Sequence, residues 1–165
     1  MTERDPFDDW EKLALAGSGV LALGSIRPWL TLSVSEELAA QTGVPVEESA
    51  GGLAGDGIAT LLIALLIAAA LIVLARRSET GAGWRTAGAA AFSGLVTGLV
   101  CWAVYTDGQS AQDRLAAQAE AGQTVTLDVH ASLFVAALGS VVLVVAGVLG
   151  VLRERRARGE SPEPA

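Results

Sequence analysis

One cysteine, one histidine and a few charges set beside long apolar runs are all that this sequence offers for chemistry. Cys101 has no second thiol for an intramolecular exchange relay, and inside an apolar run it reads as a small filler. His130 alone cannot provide bis-histidine haem ligation, and it leaves a histidine-based metal site short of ligands. Beside Asp128, at the start of an apolar block, it is expected at a membrane interface. The Gly55-Asp56-Gly57 triplet offers one carboxylate, which as an N-cap would bond the open amides of a first helical turn and favour its dipole. A cation site is the alternative for Asp56. No nucleophile–base pair is visible, so no catalytic, cofactor-binding or metal-ligating residue is assigned, no cofactor is expected, and the chain is read as a non-enzyme.

The other residues with physical consequence are architectural. In Gly24-Ser25-Ile26-Arg27-Pro28-Trp29-Leu30, Pro28 lacks an amide hydrogen and biases Arg27 away from the helical region, so a helix should end or kink there. Trp29 suits an interfacial belt. Arg27 can snorkel to headgroups or pair with Asp56, a structural latch about thirty positions downstream. Ala90-x-x-x-Gly94-x-x-x-Gly98 puts three small residues on one helix face and permits close backbone approach. Packing within the chain is the expected use, and oligomerisation is the other.

These residues need elements to hold them, and composition states which. Of 165 residues 52% are hydrophobic and only 18% charged, too apolar for an ordinary soluble domain. Charge-free blocks cover 57–75, 86–106 and 129–152. Each is long enough to cross about 30 Å of hydrocarbon at about 1.5 Å per helical residue. The first apolar run, Leu13 to Ile26, is shorter. It spans only if Arg27, Pro28 and Trp29 lie within the outer leaflet. A cleaved signal peptide fits poorly, because the leader carries Glu3, Asp5, Asp8, Asp9 and Glu11 where a basic segment is wanted.

The expected fold is therefore an all-α membrane protein: a four-helix transmembrane bundle, up-down-up-down, with spans at about 13–32, 57–75, 86–106 and 129–152. Residues 1–12 form an N-terminal segment, and 153–165 a basic and then disordered tail. Arg4, Lys12, Arg76, Arg77, Arg85, Arg153, Arg155, Arg156 and Arg158 fall on one side and only Arg27 and Arg114 on the other. That distribution puts both termini in the cytoplasm of a multi-pass cell-membrane protein. The formal charge of −7 then faces outward. Arginine-rich, lysine-poor usage among many Ala, Val and acidic residues is the habit of a GC-rich prokaryote, either salt-adapted or simply codon-biased.

In the outer loops, Ser35 to Gln41 reads as a short helix, with Ser33 and Glu36 at capping-box spacing and Gly43 as its stop. Gln109 to Ala121 reads as another, ended by Gly122. Leu30-Thr31-Leu32-Ser33-Val34 and Thr124-Val125-Thr126-Leu127-Asp128-Val129 both alternate apolar and polar residues. Continuation of the flanking helices is the favoured expectation for them, since an isolated two-stranded ribbon is marginal. A small extracellular β-ribbon pairing 30–34 with 124–129 is the alternative. The basic run at 153–158 is explained by its topological role, with attraction to anionic headgroups as the second reading.

The Pro28-Trp29 pair after span 1 and the stretch from Gly51 to Leu62 that opens span 2 with Gly-Asp-Gly resemble a loose group of small four-span membrane proteins from actinobacteria and haloarchaea. That resemblance implies four spans with both termini inside and carries no activity with it. The layout is also similar to claudin-like proteins in topology, without their Gly-Leu-Trp run or cysteine pair. The functional expectation is a non-enzymatic envelope scaffold or accessory component with an acidic outer face, with a subunit of an oligomeric channel or transporter as the alternative. Its expected partners are the lipid bilayer and another membrane protein or a second copy of itself. No nucleic-acid partner is expected.

Overall fold

The computed structural model describes residues 8–54, 56–77 and 83–159, and the side chains of 54, 56, 75–77, 158 and 159 lie outside that description. Five α-helices and three strands follow one another as α1 (Asp9–Ile26), β1 (Leu30–Val34), α2 (Glu36–Thr42), β2 (Glu47–Ala50), α3 (Asp56–Arg77), α4 (Trp84–Gln118), β3 (Val125–Val129) and α5 (Ala131–Gly159). A single 3₁₀ turn, Gly52–Ala54, leads into α3. Three helices, α3, α4 and α5, are long and apolar enough to cross a membrane. α1 has the length, but Asp9, Glu11 and Lys12 sit in its first turn.

α5 is the organising helix. It packs along α1 on one side and α4 on the other, α3 packs on the far side of α1, and α3 and α4 touch only slightly although they are consecutive. Small residues allow these approaches. A side chain at Gly24 would collide with the backbone of Ala136, and a Cβ on Gly139 would lie 2.5 Å from the amide nitrogen of Leu21, so α1 and α5 meet backbone to backbone. On the α4 side, a Cβ on Gly94 would lie 2.6 Å from the Ser140 carbonyl oxygen. Ala14, Leu21, Ala90, Ala136, Leu143 and Ala146 fill the seams and are buried.

Three buried hydroxyls in these helices are satisfied within their own turns, as an apolar surrounding requires. Ser18 Oγ donates to Ala14 O at 2.9 Å, Thr97 Oγ1 to Ser93 O at 2.7 Å and Ser140 Oγ to Ala136 O at 2.9 Å. The outward faces are the reverse: Leu62, Leu65 and Leu66 on α3, Phe92, Leu99 and Trp102 on α4, and Phe134, Leu138 and Val141 on α5 are exposed.

Several expectations are corrected. The first run does not continue as helix to residue 32: α1 stops at Ile26 and Arg27 is extended, with φ −97° and ψ 156°, as Pro28 requires. Leu30–Val34 is then a strand, so the ribbon alternative holds, and it is wider than expected. The sheet has three antiparallel strands in the order β2-β1-β3, with Leu30 opposite both Ala50 and Val129. The third span and the helix after it are one element, since α4 runs unbroken for 35 residues, about 52 Å, and ends three residues before the expected Ala121. The last apolar helix, expected from 129, begins at Ala131 because Val129 belongs to β3. α2 takes Ser35 as its N-cap, since Ser33 is paired in β1, and it ends as expected at Gly43, with φ +72°.

Candidate functional site

All the strands and α2 gather at one end of the helices, where α1 ends and α3 and α5 begin. The period-2 alternation of β1 and β3 gives this cap two unlike faces. Leu30, Leu32 and Val34 lie on the same side as their partners Val129, Leu127 and Val125, while Thr31, Ser33, Thr126 and Asp128 lie on the other. The apolar side rests on the C-terminal half of α4. A Cβ on Gly108 would lie 2.5 Å from Leu30 Cδ1, so a glycine at this helical position lets the sheet sit down on the helix. Beside the contact is a cavity of about 240 Å³ whose apolar wall includes Leu30, Leu32, Leu127 and Val104, with Glu48 and Asp107 at its rim.

Trp29 joins this cap to the bundle. It is fully buried, its Nε1–H donates to Gly24 O at 2.8 Å, and its own amide donates to Ala50 O at 3.0 Å. Its ring lies against Gly51 (φ +77°), where a Cβ would fall 2.6 Å from the indole. Gly51 and Gly52 (φ +61°) both hold the left-handed conformation that suits glycine. The indole expected in an interfacial belt is thus enclosed by protein. His130, the other expected interfacial residue, is exposed. Its Nε2 is hydrogen-bonded to Thr31 Oγ1 at 2.8 Å, and its amide donates to Trp29 O at 2.9 Å. The Ser132 hydroxyl donates to Pro28 O, so three bonds fix the head of α5 to the Pro28–Thr31 segment.

Arg27 is exposed at the end of α1. Asp56 opens α3, but its side chain, like all of Gly55, lies outside the described residues, so the Arg27–Asp56 latch does too. What does link α1 to α3 here is a pair of buried hydroxyls: Ser25 Oγ and Thr60 Oγ1 are 2.7 Å apart. One of them donates to the other, and the second donates to a carbonyl of its own helix, Gly57 O at 2.9 Å from Thr60 Oγ1 or Leu21 O at 2.8 Å from Ser25 Oγ. No local spacing links Ser25 with Thr60, which are 35 residues apart in the chain. Ala90 and Gly94 are buried against α5, and Gly98 stands farther off, its Cβ position 3.8 Å from Ser140 Cβ. That small-residue face is used inside the chain.

The charges separate by end. Glu36, Glu37, Glu47, Glu48, Asp107, Asp113, Glu120 and Asp128 are exposed on the cap and at the C-terminal end of α4, with Arg27 and Arg114 among them. The opposite end carries Lys12, Arg85, Arg153, Arg155 and Arg156, together with Asp8, Asp9, Glu11 and Glu154. Among the described residues no group of three His, Cys, Asp or Glu side chains could hold a metal ion. The cap therefore has the equipment of a binding surface: a polar sheet face, an acidic surround and an exposed edge strand, β2.

The chain matches no protein-family model, and neither a curated protein nor a solved structure matches it.

Proposed function

We propose that the chain is a four-span membrane protein, α1 serving as the fourth span, with both termini in the cytoplasm. On this reading it is a non-enzymatic envelope component whose acidic outer cap docks a partner protein. The carrying observation is the gathering of the sheet, α2 and eight exposed acids at one end of the apolar helices, opposite the arginines of α5. Short basic flanks stay in the cytoplasm, which turns the cap outward. α1 supports the reading because it is packed along α5 over its length and its charges stand only in its first turn. The bundle order is then α4-α5-α1-α3.

Sided labelling tests it. In a Cys101→Ala background, single cysteines at Ser33 and Thr126 should react with a membrane-impermeant maleimide in intact cells, and one at Ala157 only after lysis. The reverse pattern would overturn the orientation. A photo-reactive residue at Ser33 should then crosslink to a second protein. Crosslinking only to a further copy, together with ion leakage from reconstituted liposomes, would favour the channel reading instead.

A further inference from the structure

At the end opposite the cap, a groove of about 560 Å³ lies between the first turns of α1 and the last turns of α5. Its α5 wall is Leu149, Leu152, Arg153 and Arg156, positions i, i+3, i+4 and i+7 that share one helix face. Its α1 wall is formed by Trp10 and Leu13, with Asp9 at the mouth. The groove thus changes from apolar to cationic along its length, with Leu149 and Leu152 toward the middle of α5 and both arginines toward its end. Leu149 and Leu152 are about half exposed.

The pairing of the two arginines differs. Arg153 Nη1 meets Asp8 Oδ1 at 3.0 Å, whereas Arg156 meets no carboxylate among the described residues. Asp9, the one acid at the mouth, is fully exposed and faces Lys12 at 4.0 Å. A guanidinium pair over an apolar channel, at the depth where a helix leaves hydrocarbon, complements a molecule with an anionic phosphodiester head and an acyl chain.

We propose that this groove holds one anionic phospholipid of the cytoplasmic leaflet, its phosphodiester on Arg156 and Arg153 and the start of one acyl chain along Leu152, Leu149 and Leu13. The assignment rests on the four-span reading, which sets this end at the cytoplasmic surface. Trp10 closes the inner wall and is itself buried. The Asp8–Arg153 pair competes with the lipid for one guanidinium, so the site is tuned by a residue outside the groove.

Two measurements on the full chain test this. Partition in a cloud-point detergent comes first: recovery in the aqueous phase overturns the membrane reading, and with it the lipid site. Recovery in the detergent phase is followed by native mass spectrometry from uncharged micelles, titrated with phosphatidylglycerol or with phosphatidylcholine of the same chains. One phosphatidylglycerol should be retained at about ten-fold lower lipid than phosphatidylcholine. Arg156→Gln should weaken this by about five-fold, the size expected for one arginine near an anionic headgroup. Arg155→Gln removes the same charge, but from the side of α5 that faces Trp84 and Gly88, and should change retention less than two-fold. Asp8→Asn keeps an N-cap residue, frees Arg153 and should tighten binding. Equal retention of the two lipids, an equal loss from Arg155→Gln, or weaker binding by Asp8→Asn would each overturn the site while leaving the four-span reading in place.

Discussion

α1 is held differently on its two sides. Toward α5 the contact is backbone on backbone, set by Gly24 and Gly139. Toward α3 it is made by side chains, the Ser25–Thr60 hydroxyl pair and, in the connection between the two helices, the Trp29 indole against Gly51. The first kind of seam tolerates almost no added volume, because backbone cannot move aside. The second tolerates small losses, because each hydroxyl keeps a carbonyl partner in its own helix. Where neither device is present, as between α3 and α4, helices adjacent in sequence scarcely meet. Without a hydrophobic force between helices in lipid, contact follows close fit and polar bonds, and sequence order counts for little.

Substitutions can break this contrast. Trp29→Ala should cost the most, about 3–5 kcal/mol as for large aromatic truncations in cores, because it empties a fully enclosed site and leaves Gly24 O without its indole donor. Denaturant titration in mixed micelles reads this loss. Gly24→Val should cost about 3 kcal/mol, the upper part of the overpacking range, since the added carbons meet the Ala136 backbone. A loss below about 1 kcal/mol would show that α1 and α5 separate freely. Ser25→Ala with Thr60→Val should give a coupling near 0.6 kcal/mol in a double-mutant cycle, the usual worth of a buried interhelical hydrogen bond. Leu66→Ala, on the exposed face of α3, should stay within about 0.5 kcal/mol.

The three long apolar helices were legible from charge-free blocks because length and hydropathy alone define them. Strands β1 and β3 were visible as alternation, yet helix continuation was favoured, because a lone ribbon lacks support. The support comes from β2 and the C-terminal half of α4, and neither announces itself. Glu47-Glu48-Ser49-Ala50 has no apolar face of its own and is exposed throughout. It is a strand because β1 pairs with it, a relation between residues about eighteen apart that no local pattern records.

Gly108 shows the opposite case. It falls in the gap between the expected span at 86–106 and the expected helix from Gln109, yet α4 runs through it at a cost of about 1 kcal/mol, and the missing side chain makes room for Leu30. Trp29 shows a further limit. An indole anchored at a membrane surface and one enclosed by a loop share the same sequence, Pro-Trp after an apolar run. The pair Gly51-Gly52, twenty-two residues later, decides between them.

The unbroken course of α4 has a mechanical consequence. The helix bears the cap's sheet at Gly108 and Val104, well before its end at Gln118, and its first turns lie at the opposite end beside the tail of α5. A helix of this kind is a stiff rod of about 52 Å. It is seated against α5 at Gly94, opposite Ser140, and again where Gly147 meets Ala87 and Ala91, so the sheet leans on a strut whose first half is anchored in the bundle.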